Sequence, residues 1–219
     1  MISFEQIKAD PSIKTYIMEA DALLGALGFT EHGFAHVGIV ADTAKSILLT
    51  LGYGEREAEL AQIASWLHDI GNIVNRVDHA QSGALMAFRI LDNLGGDPRD
   101  IAKIIAAIGN HDEGTAEPIS AVTAALILAD KTDVRYTRVR EQDVAQFDIH
   151  DRVNFAVREG KTTIDLQQRS ITLDMSIDTQ YCSVMDYFEI FLGRMLLCRR
   201  AAEFFKLSFR LIINGQRLL

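Results

Sequence analysis

The sequence predicts a mainly α fold, a helical bundle over residues 1–159, with a small α+β extension over 160–219. Three observations predict it. Apolar residues recur at helical spacing through most of residues 1–130. Strict alternation takes over in "TTIDLQQRSITLDMSID". A helical pattern then returns from Tyr181 to Phe205 before a last apolar stretch, "LSFRLII".

Each element follows from local chemistry. From His36 to Leu51 an apolar row runs through Val40, Ala44, Ile47 and Leu48, and Gly52 and Gly54 end it. Glu57 to Ile70 reads as the next helix. Asp78 reads as the N-cap of a third, with Leu85, Phe88, Leu91 and Leu94 inside and Gly95-Gly96 as its stop. Asp97-Pro98 opens a fourth as N-cap and N1, with Ile101, Ile104, Ile105 and Ile108 inward. A fifth follows Pro118, with Val122, Ala125, Leu126 and Ala129 inward. In the extension, Ile164 and Leu166, then Ile171, Leu173, Met175 and Ile177, mark half-buried strands, and "LSFRLII" before Asn214-Gly215 marks a last one. Two or three antiparallel strands are expected there, beside a helix with Phe188, Phe191, Leu192, Met195 and Leu196 as its stripe. That helix is expected to pack on the bundle, with a homodimer contact as the other use of its surface.

Composition narrows function. At 219 residues and 48 % hydrophobic content the chain is long enough to build one sizeable core. A net charge of −8 and the lack of a basic run disfavour nucleic-acid polymers and anionic membranes as partners. Neither a signal peptide nor a transmembrane segment is read in "MISFEQIKADPSIK". Cys182 and Cys198 are too few and too separated for a disulfide framework or a thiolate site, and read as small buried apolar groups in a reduced, cytoplasmic setting.

The six histidines carry the chemistry. His36 lies one turn before Val40, His68 one turn after Ala64, and His111 continues the row Ile101, Ile104, Ile108. Asp130 lies one turn after Leu126, and His79 starts a further element beside Asp78. A lone histidine on an apolar face is usually a hydrogen-bonded core residue. Five elements each aiming such a side chain inward, with Asp69 beside His68, are a set. Imidazole and carboxylate without thiolate suit Fe, Mn, Zn or Ni. The count is too high for one tetrahedral zinc, and a carboxylate able to bridge suits two metals.

The order His36, His68-Asp69, His79, His111, Asp130 resembles the HD-domain superfamily of metal-dependent phosphohydrolases. "WLHDIGN" resembles its His-Asp signature, "DHAQSGA" and "IGNHDEG" its later histidine segments, and "LILADKTD" its closing Asp. The resemblance covers roughly residues 30–140. It implies a first metal on His36, His68, Asp69 and Asp130, and a second on His79 and His111 with Asp69 bridging. Two divalent ions are implied, Fe or Mn favoured over Zn, Ni, Co or Mg. The reaction implied is cleavage of a phosphate ester or phosphoanhydride of a nucleotide or small phosphorylated metabolite by a metal-bound hydroxide.

Other residues are assigned roles around that set. Lys131 follows Asp130 and is expected at the mouth, in catalysis or substrate binding. Asp112, with Glu113 beside it, is the candidate outer acid. Arg135, Arg138 and Arg140 form a basic cluster, with Arg135 and His32 the candidate substrate contacts. Asn72 stands where the family often has Lys. His150 receives no role, and Trp66, Tyr136, Phe147 and Phe155 read as core. The ligand set leaves two other functions open: an HD-type di-iron oxygenase, and a non-catalytic metal-binding regulatory domain.

Overall fold

The helix Ala121–Lys131 is buried along its whole length, every residue included. A helix buried on all sides must lie at the centre of its fold. In the computed structural model, which describes residues 1–141 and 143–219, this helix is α7 of the order α1 Phe4–Ala9, α2 Pro11–Ala26, α3 Phe34–Thr50, α4 Glu55–Leu67, α5 His79–Asn93, α6 Pro98–Gly109, α7, α8 Ile149–Ala156, β1 Val157–Asp165, β2 Ser170–Ile177, α9 Val184–Phe204, β3 Ser208–Ile213 and β4 Gln216–Arg217. A short 3-10 turn, Ile70–Ile73, joins α4 towards α5. Ser120 caps α7, its hydroxyl accepting from the Thr123 amide. Around it pack α3, α4, α6 and α9.

The helix boundaries follow the expected signals. Gly52 and Gly95 take positive φ just after α3 and α5, where a side chain would be strained. Asp97 caps α6 with Pro98 in its first turn. At α5 the expectation fails twice. Asp78 sits in the left-handed region and makes no capping bond. The buried row is Ala80, Gly83, Ala87 and Leu91, while Leu85, Phe88 and Leu94 are exposed. The reason is distance: α5 approaches the Ile70–Ile73 turn so closely that only small side chains fit between. A Cβ on Gly83 would stand 3.2 Å from the His68 carbonyl oxygen.

The extension is a four-stranded sheet in the order β1-β2-β3-β4. β1 pairs antiparallel with β2, and β3 with β4. The β2–β3 pair is parallel, with Ile171 opposite Phe209 and Leu173 opposite Leu211. This departs from the all-antiparallel expectation because α9 separates the two strands, and a crossover of this kind returns the chain in the same direction. Ile171, Leu173, Met175 and Ile177 are buried as alternation predicts, whereas Leu166 is exposed in the β1–β2 turn. On α9 the buried row is Tyr187, Phe191, Met195, Cys198 and Ala202, and Leu192 and Leu196 face out. The neighbours choose the face, since α9 lies on α7 as well as on β2 and β3. One apolar cluster runs through helices and sheet. Cys182 and Cys198 are free and buried, and burial pushes the Cys198 thiol up to about 12. Among the described residues no helix is long and apolar enough to cross a membrane.

Two substitutions on α5 distinguish Leu91, buried as the sequence predicts, from Leu85, which the sequence also places inside and the structure exposes. Leu91→Ala is expected to cost about 2–5 kcal/mol in urea unfolding, and Leu85→Ser to stay within about 0.5 kcal/mol.

Candidate metal centre

Five helix ends meet at one place. His36 lies in the first turn of α3, and His79 is the first residue of α5. His68 is the C-cap of α4, His111 follows the α6 C-cap Asn110, and Asp130 is in the last turn of α7. Asp69 opens the 3-10 turn. Three of these positions are helix carboxyl ends, whose partial negative charge favours a cation. All six side chains are buried.

Their distances divide them into two groups around Asp69. Its Oδ2 lies 3.1 Å from His68 Nε2 and 3.8 Å from His36 Nε2. Its Oδ1 lies 3.5 Å from His79 Nε2 and 4.0 Å from His111 Nε2. Asp130 Oδ1 joins the first group, 3.4 Å from His36 Nε2. The two Nε2 atoms of the second group are 3.3 Å apart. Ligand atoms about 2.0–2.2 Å from one ion sit about 3–3.5 Å from each other, so these spacings fit a shared cation.

The tautomers fit as well. His68, His79 and His111 each place Nδ1 on the carbonyl oxygen three residues earlier, of Ser65, Arg76 and Ile108, at 2.7, 3.0 and 2.6 Å. His36 Nδ1 is 2.8 Å from Asp133 Oδ2. Carbonyls and carboxylates only accept, so Nδ1 carries the proton and Nε2 presents a lone pair. His36 Nε2 and His68 Nε2 are buried with no hydrogen-bond partner. Leaving such atoms unpaired costs about 1–3 kcal/mol each, a penalty that a bound cation removes.

The electrostatics agree. Burial pushes the His111 pKa well down, helped by His68 and Lys131, and burial also lowers His79. Both are therefore neutral at pH 7. Burial would raise the Asp69 carboxyl, but His68 holds it well below the usual carboxylate range. Asp130 is likewise held down against burial, chiefly by Lys131. His68 runs the other way: burial opposes its charge, yet Asp69 raises its pKa. The proton recruited there is one that a metal would displace.

Partners behind the six hold them in place. Asn72 Nδ2 donates to Asp69 Oδ1 at 3.0 Å and to the Asp69 carbonyl at 2.9 Å. The residue standing in for the family's Lys thus orients the central carboxylate. Asp133, which sequence reasoning passed over, carries His36 and is itself gripped by Arg135 at 2.6 and 2.9 Å. Its one sequence signal is the spacing, three residues after Asp130. Lys131 is buried, its Nζ 2.8 Å from Asp130 Oδ2 and 3.5 Å from Glu113 Oε1. Its ammonium is taken by protein carboxylates and does not stand open at the mouth. Asp112 is a third exposed, with Oδ1 3.8 Å from His79 Nε2.

A cavity of 390 Å³ lies beside this centre, and His32, Arg76, Arg138 and Arg194 are on its wall. Arg76 Nη1 is 3.4 Å from His79 Nε2, and the His32 ring lies 5.4 Å from that of His36, so cavity and centre adjoin. His150, given no role from sequence, lines it too. The expected basic cluster is dispersed. Arg135 lines a different hollow, of 620 Å³, between α3 and β1, which corrects its expected place at the mouth. Arg138 binds the Glu31 and Asp133 carbonyls, and Arg140 binds the Phe29 carbonyl and Asp21. Both pin the loop that carries His32. Arg76 and Arg194 were not expected: Arg76 lies three residues before His79, but nothing local marks Arg194. Trp66 packs against Phe4 and Phe34, and Tyr136, Phe147 and Phe155 cluster near Arg158.

The family model of the HD domain matches residues 33–152, more than half of the chain. The chain belongs to the HD-domain family, a superfamily of metal-dependent hydrolases whose domains bind divalent metals. It is also similar to an uncharacterized protein of Methanocaldococcus jannaschii, 25 % identical over 159 residues, which is 63 % of this chain and 61 % of that protein.

The close approach of α5 rests on one glycine. A Cβ on Gly71 would meet the His79 carbonyl oxygen at 2.0 Å and the Gly83 nitrogen at 2.4 Å. Gly71→Ala is expected to destabilise the protein by about 1–3 kcal/mol, read in urea unfolding, and to shift the His79 imidazole resonances in NMR spectra.

Proposed function

We propose that the chain is a phosphohydrolase that cleaves a phosphate ester or phosphoanhydride of a nucleotide or small phosphorylated metabolite, using two divalent metals, Fe or Mn. The observation that carries this reading is Asp69, whose two oxygens face two separate histidine pairs. His36, His68, Asp69 and Asp130 would hold one ion, and His79 and His111 would hold the other, with Asp69 available to both. Bound divalent ions supply Lewis acidity and activate water at neutral pH.

The protein's own groups do the remaining work. Asn72 orients the Asp69 carboxylate through Oδ1, and Lys131 holds Asp130 Oδ2 so that Oδ1 is offered inward. Asp133 keeps the His36 tautomer. Asp112, partly open and beside His79, moves a proton between solvent and the reacting oxygen. Arg76, Arg138 and Arg194 place guanidinium groups on a wall that also carries Glu113, Asp148 and Asp151, and guanidinium forks suit a phosphorylated substrate better than a neutral one.

Protein stripped of metal and reloaded with Mn or Fe should contain two equivalents by elemental analysis and hydrolyse members of a phosphoester panel of mononucleotides, dinucleoside polyphosphates, cyclic dinucleotides and small metabolite phosphates. His79→Ala should retain one equivalent. Asp69→Ala should lower hydrolysis by about 10²–10³-fold or more while the fold is kept. A single equivalent in the unaltered chain would sink the two-metal reading; a silent panel with metals bound would sink the phosphohydrolase.

Asp133→Asn is expected to weaken metal retention by about 10–100-fold, measured by competition with a chelator. Unchanged retention would mean that His36 does not depend on this carboxylate.

A further inference from the structure

The cavity wall is built in part outside residues 33–152, the segment that matches the HD family. Phe29 and His32 come from the loop before it, and Phe191 and Arg194 from α9 beyond it.

Arg194 is held from behind and open in front. Its Nε donates to Glu113 Oε1 at 3.1 Å, and its guanidinium carbon lies 4.4 Å from the Phe191 ring centre. Glu113 is itself held by Lys131. Among the described residues the two terminal nitrogens of Arg194 make no hydrogen bond, and the side chain keeps 20 % of its surface on a wall of the cavity. Arg138 is anchored in the same way through Nε and Nη1. Preset guanidinium donors with unused N–H groups suit an anion, because their geometry matches a carboxylate or phosphate edge. Three acids share the wall: Glu113 takes only the Arg194 Nε, Asp148 caps α8, and among the described residues Asp151 makes no hydrogen bond to Arg194.

Size and shape limit the ligand further. A volume of 390 Å³ is near the lower end of the roughly 300–1,000 Å³ of small-molecule sites. The two aromatic rings on the wall are already covered, Phe29 by Arg76 and Phe191 by Arg194, which leaves little bare surface for stacking a base.

We infer that the substrate is compact and diacidic, a phosphate ester bearing a second carboxylate or phosphate, and that Arg194 on α9 receives this second group. The inference rests on the phosphohydrolase reading and adds to it a specificity-determining residue from outside the HD segment.

Calorimetric titration of the metal-loaded protein with non-hydrolysable probes tests it. Methylphosphonate carries one acid, phosphonoacetate adds a carboxylate, and methylenediphosphonate adds a second phosphonate. At least one diacid should bind about tenfold or more tighter than methylphosphonate, as expected for one added charged hydrogen-bonded pair, and which one does so identifies the second group. Arg194→Met keeps the stem over Phe191 and should erase that advantage, lowering diacid affinity by about tenfold more than it lowers methylphosphonate affinity, with metal content unchanged. Arg194→Lys, which keeps charge but not the fork, should lose part of the advantage, and it serves as the test if the Met variant does not fold. Equal binding of all three probes, or an advantage that survives in both variants, would overturn the inference while leaving the phosphohydrolase intact. Failure of methylphosphonate to bind, with no phosphoester hydrolysed, would remove the phosphohydrolase reading and this inference with it.

Discussion

The Asp69 carboxylate, buried between two pairs of imidazoles, is the constraint from which the rest of the site follows. An isolated buried carboxylate costs several kcal/mol after relaxation, and Asp69 lies where four Nε2 lone pairs also converge. Those atoms cannot hydrogen-bond one another while every Nδ1 is committed to an acceptor. Positive charge must come from elsewhere. Lys131 supplies some at Asp130, and a divalent ion is the compact source that satisfies the lone pairs as well.

Helix geometry supplies the rest. Bringing five helix ends to one point demands close approach, and the chain meets it with small residues: Gly71 against the start of α5, Gly83 against the end of α4, and alanines along α7. The same demand explains why α5 buries a row of mostly small side chains and leaves larger ones, Leu85 and Phe88, in water.

Much of this was legible in the sequence, and the reason is locality. His36, His68, His111 and Asp130 each sit at a recognisable phase of a helical row, Asp69 follows His68 and His79 starts a helix, and the structure brings all six together. Asn72 and Asp133 were within reach, each three residues from a site carboxylate. What could not be read depends on tertiary distance. Which of two apolar rows on α5 is buried is decided by how near its neighbour comes. The parallel β2–β3 pair depends on where α9 crosses. Arg135 turns back onto Asp133, and Arg194, which nothing local marks, arrives at the cavity from a helix beyond the HD segment.

The Arg194–Glu113 contact joins residues 81 apart in sequence, and this gives the molecule an order of assembly. Domains acquire structure from the N-terminal side as synthesis proceeds. All six side chains of the centre have been made by residue 130, whereas one wall of the adjoining cavity waits for α9. A nascent chain therefore owns the elements of its metal cradle before it owns a finished recognition surface. Helix α9 completes that wall after the six side chains of the centre have been made, so the recognition surface depends on chain that follows the cradle.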